Sequence, residues 1–370
     1  MDKYVFFFST VYKIGLKTIL KLIEFFGSLE IAFNADENGF KKFGFNDFII
    51  KDIFNKKKIF NFDEEILKYE KLNINILSYF DNDYPSILKK IPDAPAVIFY
   101  KGNLNNLNNF NKTIGVVGSR DCSDYGVSVT KDFCEYFISN NIITVSGGAA
   151  GIDSISHEVS ISKNFPTISV MGTGLDVVYP AKNKILFQKI IENNGVIISE
   201  FPIGTQGLPQ NFIRRNRIIA GLSSGVLIVE AGLKSGTMTT AEFAINQNKN
   251  VFVVPGSIYS PFSEGANYLI KNGAIFVTNP KEINEMIWGV GNVQNVNVGA
   301  HCNAPLPIDL SWMGIDEKIV FDLILYKPKN IENIVVESKL NIGKINFILI
   351  MFEIKGLIIN VGGMNYRRVN

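Results

Sequence analysis

TIGVVGSRDCSDYG (113–126) decides the fold. Thr113–Gly118 is a short run rich in β-branched residues. Gly118-Ser119-Arg120 is a tight polar turn, and an amphipathic stretch follows it. A buried strand that runs through glycine into a helix opens a βα unit. The same rhythm recurs at Ile142–Ser146, Thr167–Met171, Val196–Ser199, Val226–Val229 and Val251–Val254, mostly with ten or more amphipathic residues between runs. Strands alternating with helices argue an α/β fold, a parallel, doubly wound sheet with helices on both faces. Such sheets bind ligands outside the carboxyl ends of their strands, so the chemistry is sought there.

Outward from this core, the chain divides into four parts. Residues 1–70 read as a helical module. In KIGLKTILKLIEFFGS (13–28), Gly15 makes a turn and Gly27 ends a helix, with Leu16, Leu20, Ile23 and Phe26 at helical spacing. Phe25, Phe26 and Phe33 read as its core. Residues 71–290 hold the sheet. Residues 291–310, with weak periodicity, Gly, Asn and two Pro, read as a linker. Residues 311–370 carry three short helical patterns from about 314 to 355. Leu357–Asn360 and Asn365–Val369 then read as a hairpin, giving a winged-helix-like order.

Composition narrows the function. Of 370 residues, 46% are apolar and 19% charged, enough for a large core and too few charges for a disordered chain. Lys+Arg minus Asp+Glu is 37 − 35 = +2, so nucleic-acid binding needs a local cluster of cations. Cys122, Cys134 and Cys302 are widely spaced, and with only His157 and His301 they form neither a zinc pattern nor a disulfide framework. No metal is expected. No run approaches the roughly 18 apolar residues of a membrane span, and no cleavage site follows the first residues. The expectation is a cytoplasmic protein with no membrane partner.

Each strand end carries glycine, hydroxyl or charged residues: GSRDCSDYG (118–126), SGGAAGID (146–153), GTGLDVVYP (172–180), SEFPIGT (199–205), EAGLKSGTMTTAE (230–242) and PGS (255–257). Glycines let backbone approach a phosphate, and successive N–H groups favour an anion. Several such turns on one edge point to an anion- or nucleotide-binding edge. It is not a nicotinamide-dinucleotide site: GVVGSR replaces GxGxxG, and Ser146-Gly147-Gly148 stands where a ribose-binding acid belongs. There is no P-loop and no GxSxG elbow. Asp153, Asp176, Glu200 and Glu230 are candidates for a metal cluster or for helix caps and loop bonds, and the second role is expected. His157 reads as a packed side chain. In NFIRRNRIIAGLSSG (211–225), Arg214 and Arg217 share a helix face while Arg215 points elsewhere. Guanidinium suits phosphate. A mixture of structural pairs and free arginines is expected. Tyr179 and Phe201, each beside a proline, are possible stacking platforms but read as core.

Taken in order, these motifs resemble the DNA-processing protein A (DprA/Smf) family over essentially the whole chain. DYPSILKKIPDAPAVIFYKGNL (83–104), VEAGLKSGTMTTAEFA, VFVVPGS and EGANYLIKNGA (264–274) add to those above. The resemblance implies an extended Rossmann-like core, usually homodimeric, between an N-terminal helical module (SAM or helix-hairpin-helix-like) and a C-terminal winged-helix module. It implies a protein without catalytic residues or cofactor. Such a protein binds single-stranded DNA, protects it on entry and loads RecA recombinase during natural transformation. Carried across, the DNA contacts are Arg120, Lys182 and the cluster Arg214, Arg215 and Arg217, with Ser119, Ser123, Gly147, Gly148 and Gly174 supplying backbone or hydroxyl groups. Gly118, Asp153, Asp176, Asn183, Glu200, Asn216, Glu230, Gly236 and Thr237 shape the pocket. The chain departs from the family where Gly148 replaces a common leucine and Ala150 a larger residue.

Two other readings stay open. The core is similar to that of lysine-decarboxylase-like phosphoribohydrolases, which cleave N-glycosidic bonds with a GGxGTxxE loop. Here SGTMTTAE puts Thr240 where the carboxylate belongs and Glu242 two residues late, which argues against that activity. A small-nucleotide sensor is the other. KINFILIMFEIKG (344–356) is too apolar to read DNA and is expected to meet protein. Ala241–Ile245 or Ile218–Leu222 is expected to form the dimer surface.

Overall fold

The computed structural model describes residues 2–104, 112–289, 313–324, 328–354 and 357–368. The linker expected at 291–310, with His301 and Cys302, lies outside the described residues. The chain forms two compact units, 1–296 and 297–370.

The first unit is built on a nine-stranded sheet, β1 (Asn75–Ser78), β2 (Val97–Gly102), β3 (Thr113–Val117), β4 (Ile143–Ser146), β5 (Thr167–Met171), β6 (Val196–Ser199), β7 (Gly225–Ile228), β8 (Asn250–Val253) and β9 (Ile275–Phe276). Its order is β1-β2-β6-β5-β4-β3-β7-β8-β9. From β6 to β9 every neighbour is parallel, while β2 runs antiparallel to both β6 and β1. The chain winds outward from β3 to β6, then returns to place β7 on the other side of β3. The topological switch point therefore lies between β3 and β7. All residues of β3 to β7 are buried, as a sheet covered on both faces requires.

The N-terminal module is helical as expected. Its helix Leu16–Phe26 starts after Gly15 and ends at Gly27. Phe6, Phe7 and Phe8 are fully buried, and their cluster runs on into Val97 and Phe99 of β2. Tyr69 stacks on Phe99 at 5.0 Å. The module and the sheet thus share one apolar core. Phe25 corrects the sequence reading: it is 51% exposed, packed edge-on against Phe26 and Phe43 at the rim.

Of the two segments expected at a dimer surface, Ile218–Leu222 lies wholly inside the protomer, while Ala241–Ile245 is buried at Ala241 and Ala244 and exposed at Glu242. Ile218, Ile219, Ala220, Leu222, Ala241 and Ala244 are all buried, because the helices Pro209–Gly221 and Gly236–Asn246 pack against each other and the sheet.

In the second unit, helices Ile315–Leu323, Ile331–Ser338 and Ile342–Ile354 accompany a three-stranded antiparallel sheet. Its strands β11 (Ile358–Asn360) and β12 (Asn365–Arg368) form the expected hairpin, and β10 (Lys329–Asn330), not anticipated from sequence, adds to β12. Val320, Ile334, Ile345 and Phe352 are among the buried core residues. Among the described residues no helix is long and apolar enough to cross a membrane.

Candidate functional site

The loops after β3, β4 and β5 meet beside the start of helix Pro209–Gly221. The switch-point loop is tied down first. Ser119 N donates to Glu230 O, 2.8 Å away at the end of β7. The buried Glu230 carboxylate accepts from Ser123 N at 2.9 Å and from the Ser123 hydroxyl. Ser123 Oγ also caps helix Asp124–Ser139 by accepting from Gly126 N. That hydroxyl's one proton goes to Glu230, so it has no further donor to offer a ligand.

The β4 loop packs directly on this turn. Gly151 has φ +75°, and an added Cβ would lie 2.3 Å from Ser119 O and 2.7 Å from Arg120 O. Ile152 N donates to Ser119 O at 3.2 Å. Asp153 accepts from Gly147 N (3.1 Å) and Ala149 N (3.3 Å), the loop-bonding role expected for it. Asn183 joins the β5 loop to the same turn, donating to Gly148 O (2.9 Å) and Ser154 Oγ (2.8 Å). Asp176 accepts from Gly204 N through both oxygens, at 2.9 and 2.8 Å. Gly147 and Gly174 direct their N–H groups inward, Gly174 to Thr205 O at 3.0 Å. Both N–H groups are thus used within the scaffold, and Gly148 is buried beside them.

The three arginines separate by helix phase, as i, i+3 geometry demands. Arg215 is buried. It donates to Gly147 O at 2.6 Å and to Val170 O, and holds the ends of β4 and β5 together. Burial lowers its pKa to about 10; Asp153 opposes the shift and the Arg120 charge adds to it. Burial also pushes the Asp153 carboxyl upward, against the pull of Arg215 and the loop N–H groups. Arg217, equally buried, makes a two-pronged pair with Glu200 (3.0 and 2.8 Å) and reaches Asp93 at 2.8 Å. Both side chains are only 5% exposed and are committed to these internal contacts, the structural half of the mixture expected for the cluster. Arg214 also touches Glu200, at 2.9 Å, yet its side chain is 60% exposed. Asn216 bonds Gly236 O at 3.1 Å and so fixes the start of helix Gly236–Asn246, where Thr237 is buried.

Arg120 is exposed, as is Lys182 on the turn after the cis Tyr179–Pro180 peptide. Tyr179 is 43% exposed and faces Phe212 with ring centroids 4.9 Å apart, so it is a surface ring and not core. Phe201 is buried as expected. The guanidiniums of Arg120 and Arg215 lie 6.0 and 5.9 Å from the Phe212 ring, within cation–π range. Phe212 was missed from sequence. The signal was present: it precedes Arg215 by three residues, so the two share a face. Between Arg120, Gly147, Ala150, Tyr179 and Phe212 lies a cavity of about 70 Å³. That is room for about two waters at ~30 Å³ each, far below the ~300–1,000 Å³ of small-molecule sites. Thr240 is buried and Glu242 is on the outer face. Among the described residues no three His, Cys, Asp or Glu side chains gather to hold a metal.

Behind the arginines, His157 is fully buried, with Nδ1 2.8 Å from Thr167 Oγ1. The Thr167 hydroxyl also lies 3.0 Å from Thr144 O and 2.8 Å from Thr144 Oγ1, while His157 Nε2 faces no partner. Burial, and then the Arg215 charge, hold the ring pKa down to about 3. The unfolded chain takes up this proton as pH falls through about 6.5, while the folded chain refuses it down to about 3. The stabilisation is complete above pH 6.5 and is lost as pH falls through that window. Unfolding free energy from urea titrations should fall with a slope that approaches about 1.4 kcal/mol per pH unit between about pH 5.5 and 4. In His157→Gln this slope should vanish; an unchanged slope would assign it to other groups.

With this geometry in place, the family model described as DNA recombination-mediator protein A matches residues 75–287. The chain belongs to the DNA recombination-mediator protein A family. The match spans β1 to the last helix of the sheet unit. A Synechocystis relative named Protein Smf is 31% identical over 97% of each chain. The DNA recombination-mediator protein A fold also accounts for the structural likeness. DNA processing protein A from Streptococcus pneumoniae superposes with TM-score 0.66 and 33% identity, over 78% of this chain and 98% of that one. DNA processing protein A from Helicobacter pylori, described by its single-stranded DNA binding mode, gives TM-score 0.52 and 29% identity over 58% of this chain and 94% of that one.

Proposed function

We propose that the chain is a non-enzymatic, single-stranded DNA-binding recombination mediator, acting in the cytoplasm as a homodimer that loads RecA recombinase onto strands taken up in transformation. The observation that carries this reading is the open site at the carboxyl ends of β3, β4 and β5, beside the switch point. Arg120 projects at the mouth of a shallow cavity whose wall is the Tyr179–Phe212 ring pair. A site this small and open suits a feature of a polymer, a base edge or one phosphate, and not an enclosed substrate. Single-strand binders join aromatic rings to a cationic track in this way. The track here is Arg120, with Lys182 to one side and Arg214 on the next outward face of the helix; Ser119, whose hydroxyl bonds the Asp121 backbone, holds the turn that carries Arg120. The H. pylori protein, named for its single-stranded DNA binding mode, supports the same assignment. The second unit, three helices and a hairpin, is read as a winged-helix module. Phe347 stands 63% exposed on its third helix, which favours contact with protein over the DNA groove.

The test is anisotropy of a labelled single strand with duplex as competitor. The wild type should prefer the single strand. Arg120→Ala should weaken it by about tenfold and reduce the salt slope by roughly 0.7–1, as for one lost phosphate contact. Binding indifferent to Arg120 would remove the strand from this pocket and reopen the small-nucleotide reading.

A further inference from the structure

A second, larger cavity of about 540 Å³ lies at the carboxyl end of β6. It backs onto the first across the opening turn of helix Pro209–Gly221. Phe212 and Arg215 line the small cavity, while the adjacent Ile213 and Arg214 line the large one. The two are separated by about 10 Å, one helix diameter. The large cavity's opposite wall comes from the N-terminal module, through Leu16 and Lys17. Its apolar surface includes Val97 and Phe243. Its charged lining is mixed: Lys17, which is exposed; Arg217, with the carboxylates of Glu200 and Asp93 that it holds; and Arg214, which shares Glu200 with Arg217 and so keeps N–H donors free.

We propose that this cavity receives a second nucleotide of the same bound strand, its base between the apolar walls and its phosphate on Arg214 and Lys17. The inference rests on the single-strand reading of the switch-point site. The volume falls within the range of sites that enclose a small flat molecule, which the first cavity does not reach. Apolar walls with cations at the rim match a base attached to a phosphate. The strand crosses the first helical turn between the two sites, past the exposed Arg214. The N-terminal module thereby becomes half of a DNA-binding surface.

The test compares labelled oligothymidylates of about 4 and about 16 nucleotides, the limits of common single-strand site sizes. Ile213→Glu and Lys17→Gln alter opposite walls at exposed positions. Each should weaken the long strand by about tenfold, the scale of one lost base or phosphate contact, and leave the short strand unchanged. Lys17→Gln should also lower the long strand's salt slope by about 0.7. Unchanged short-strand binding is the control that both variants are folded. If Arg120→Ala weakens both lengths while the two wall variants weaken neither, the second site is wrong and the first stands. If Arg120→Ala weakens neither length, both fall. Thymidine monophosphate competing only in proteins with an intact wall, without any effect of the wall variants on the long strand, would assign the cavity to a free nucleotide and overturn the proposal.

Discussion

Glu200→Ala should lower unfolding free energy by about 3–5 kcal/mol, the cost of leaving a buried charge without its partner. Glu200 is 3% exposed at the side chain and serves two guanidiniums. Its removal leaves Arg217 buried, with Asp93 alone at 2.8 Å and half in water. A drop of this size lowers Tm by roughly 10 °C for a unit of this length. Arg214→Ala removes the exposed arm of the same cluster and should cost under about 1 kcal/mol. Replacing Glu200 and Arg217 together by leucine and methionine should recover most of the loss, because the charges left without partners, Asp93 and Arg214, are at least half in water. Calorimetry on the three variants checks this. A double variant as unstable as Glu200→Ala would mean that packing, not charge, sets the cost.

Gly151→Ala should cost about 3 kcal/mol, from a left-handed backbone that disfavours a side chain and from collision with backbone atoms that cannot turn aside. The colliding atoms are the carbonyl oxygens of Ser119 and Arg120. The substitution therefore also moves the Arg120 turn. Single-strand affinity should fall even at temperatures where the variant stays folded. Gly204→Ala separates the two causes: Gly204 has φ +80°, but nothing lies within 4 Å of its absent Cβ. It should lose about 1 kcal/mol and bind normally. Normal binding by folded Gly151→Ala would show that the turn absorbs the shift.

The parallel core was legible because burial on both faces writes each strand as an unbroken apolar run. Thr167–Met171 and Val196–Ser199 match β5 and β6 residue for residue. β1, β2 and β9 were not. β1 is mostly half-exposed and β9 has only two residues, so neither carries a distinctive run. β2 opens apolar but closes on Tyr100, Lys101 and Gly102, and it pairs with β6, about a hundred residues downstream. The arginine cluster was legible as a cluster and by phase, but not by depth. Residue type cannot say that Arg215 turns toward two carbonyls while Arg214 stays in water. Asp153, Asp176 and Glu230 were expected to bond loops or caps, and they do; Glu200, placed with them, instead pairs with Arg214 and Arg217. Phe212 was hidden because its meaning depends on Tyr179, 33 positions away, coming within 4.9 Å.

The strand order also dictates when the site can exist. Val117 pairs with Ile228, 228 − 117 = 111 positions later. At translation rates of about 5–20 residues per second, the turn carrying Arg120 leaves the ribosome roughly 5–20 s before its partner strand. Until then β3 has an open edge and Glu230 has not arrived to hold Ser123. A chain cut short between Ser199 and Pro209 can complete β3 to β6, yet it ends without a switch point and without the helix that brings Phe212. Binding capacity is thus a property of the finished chain, reached in a single late step of synthesis.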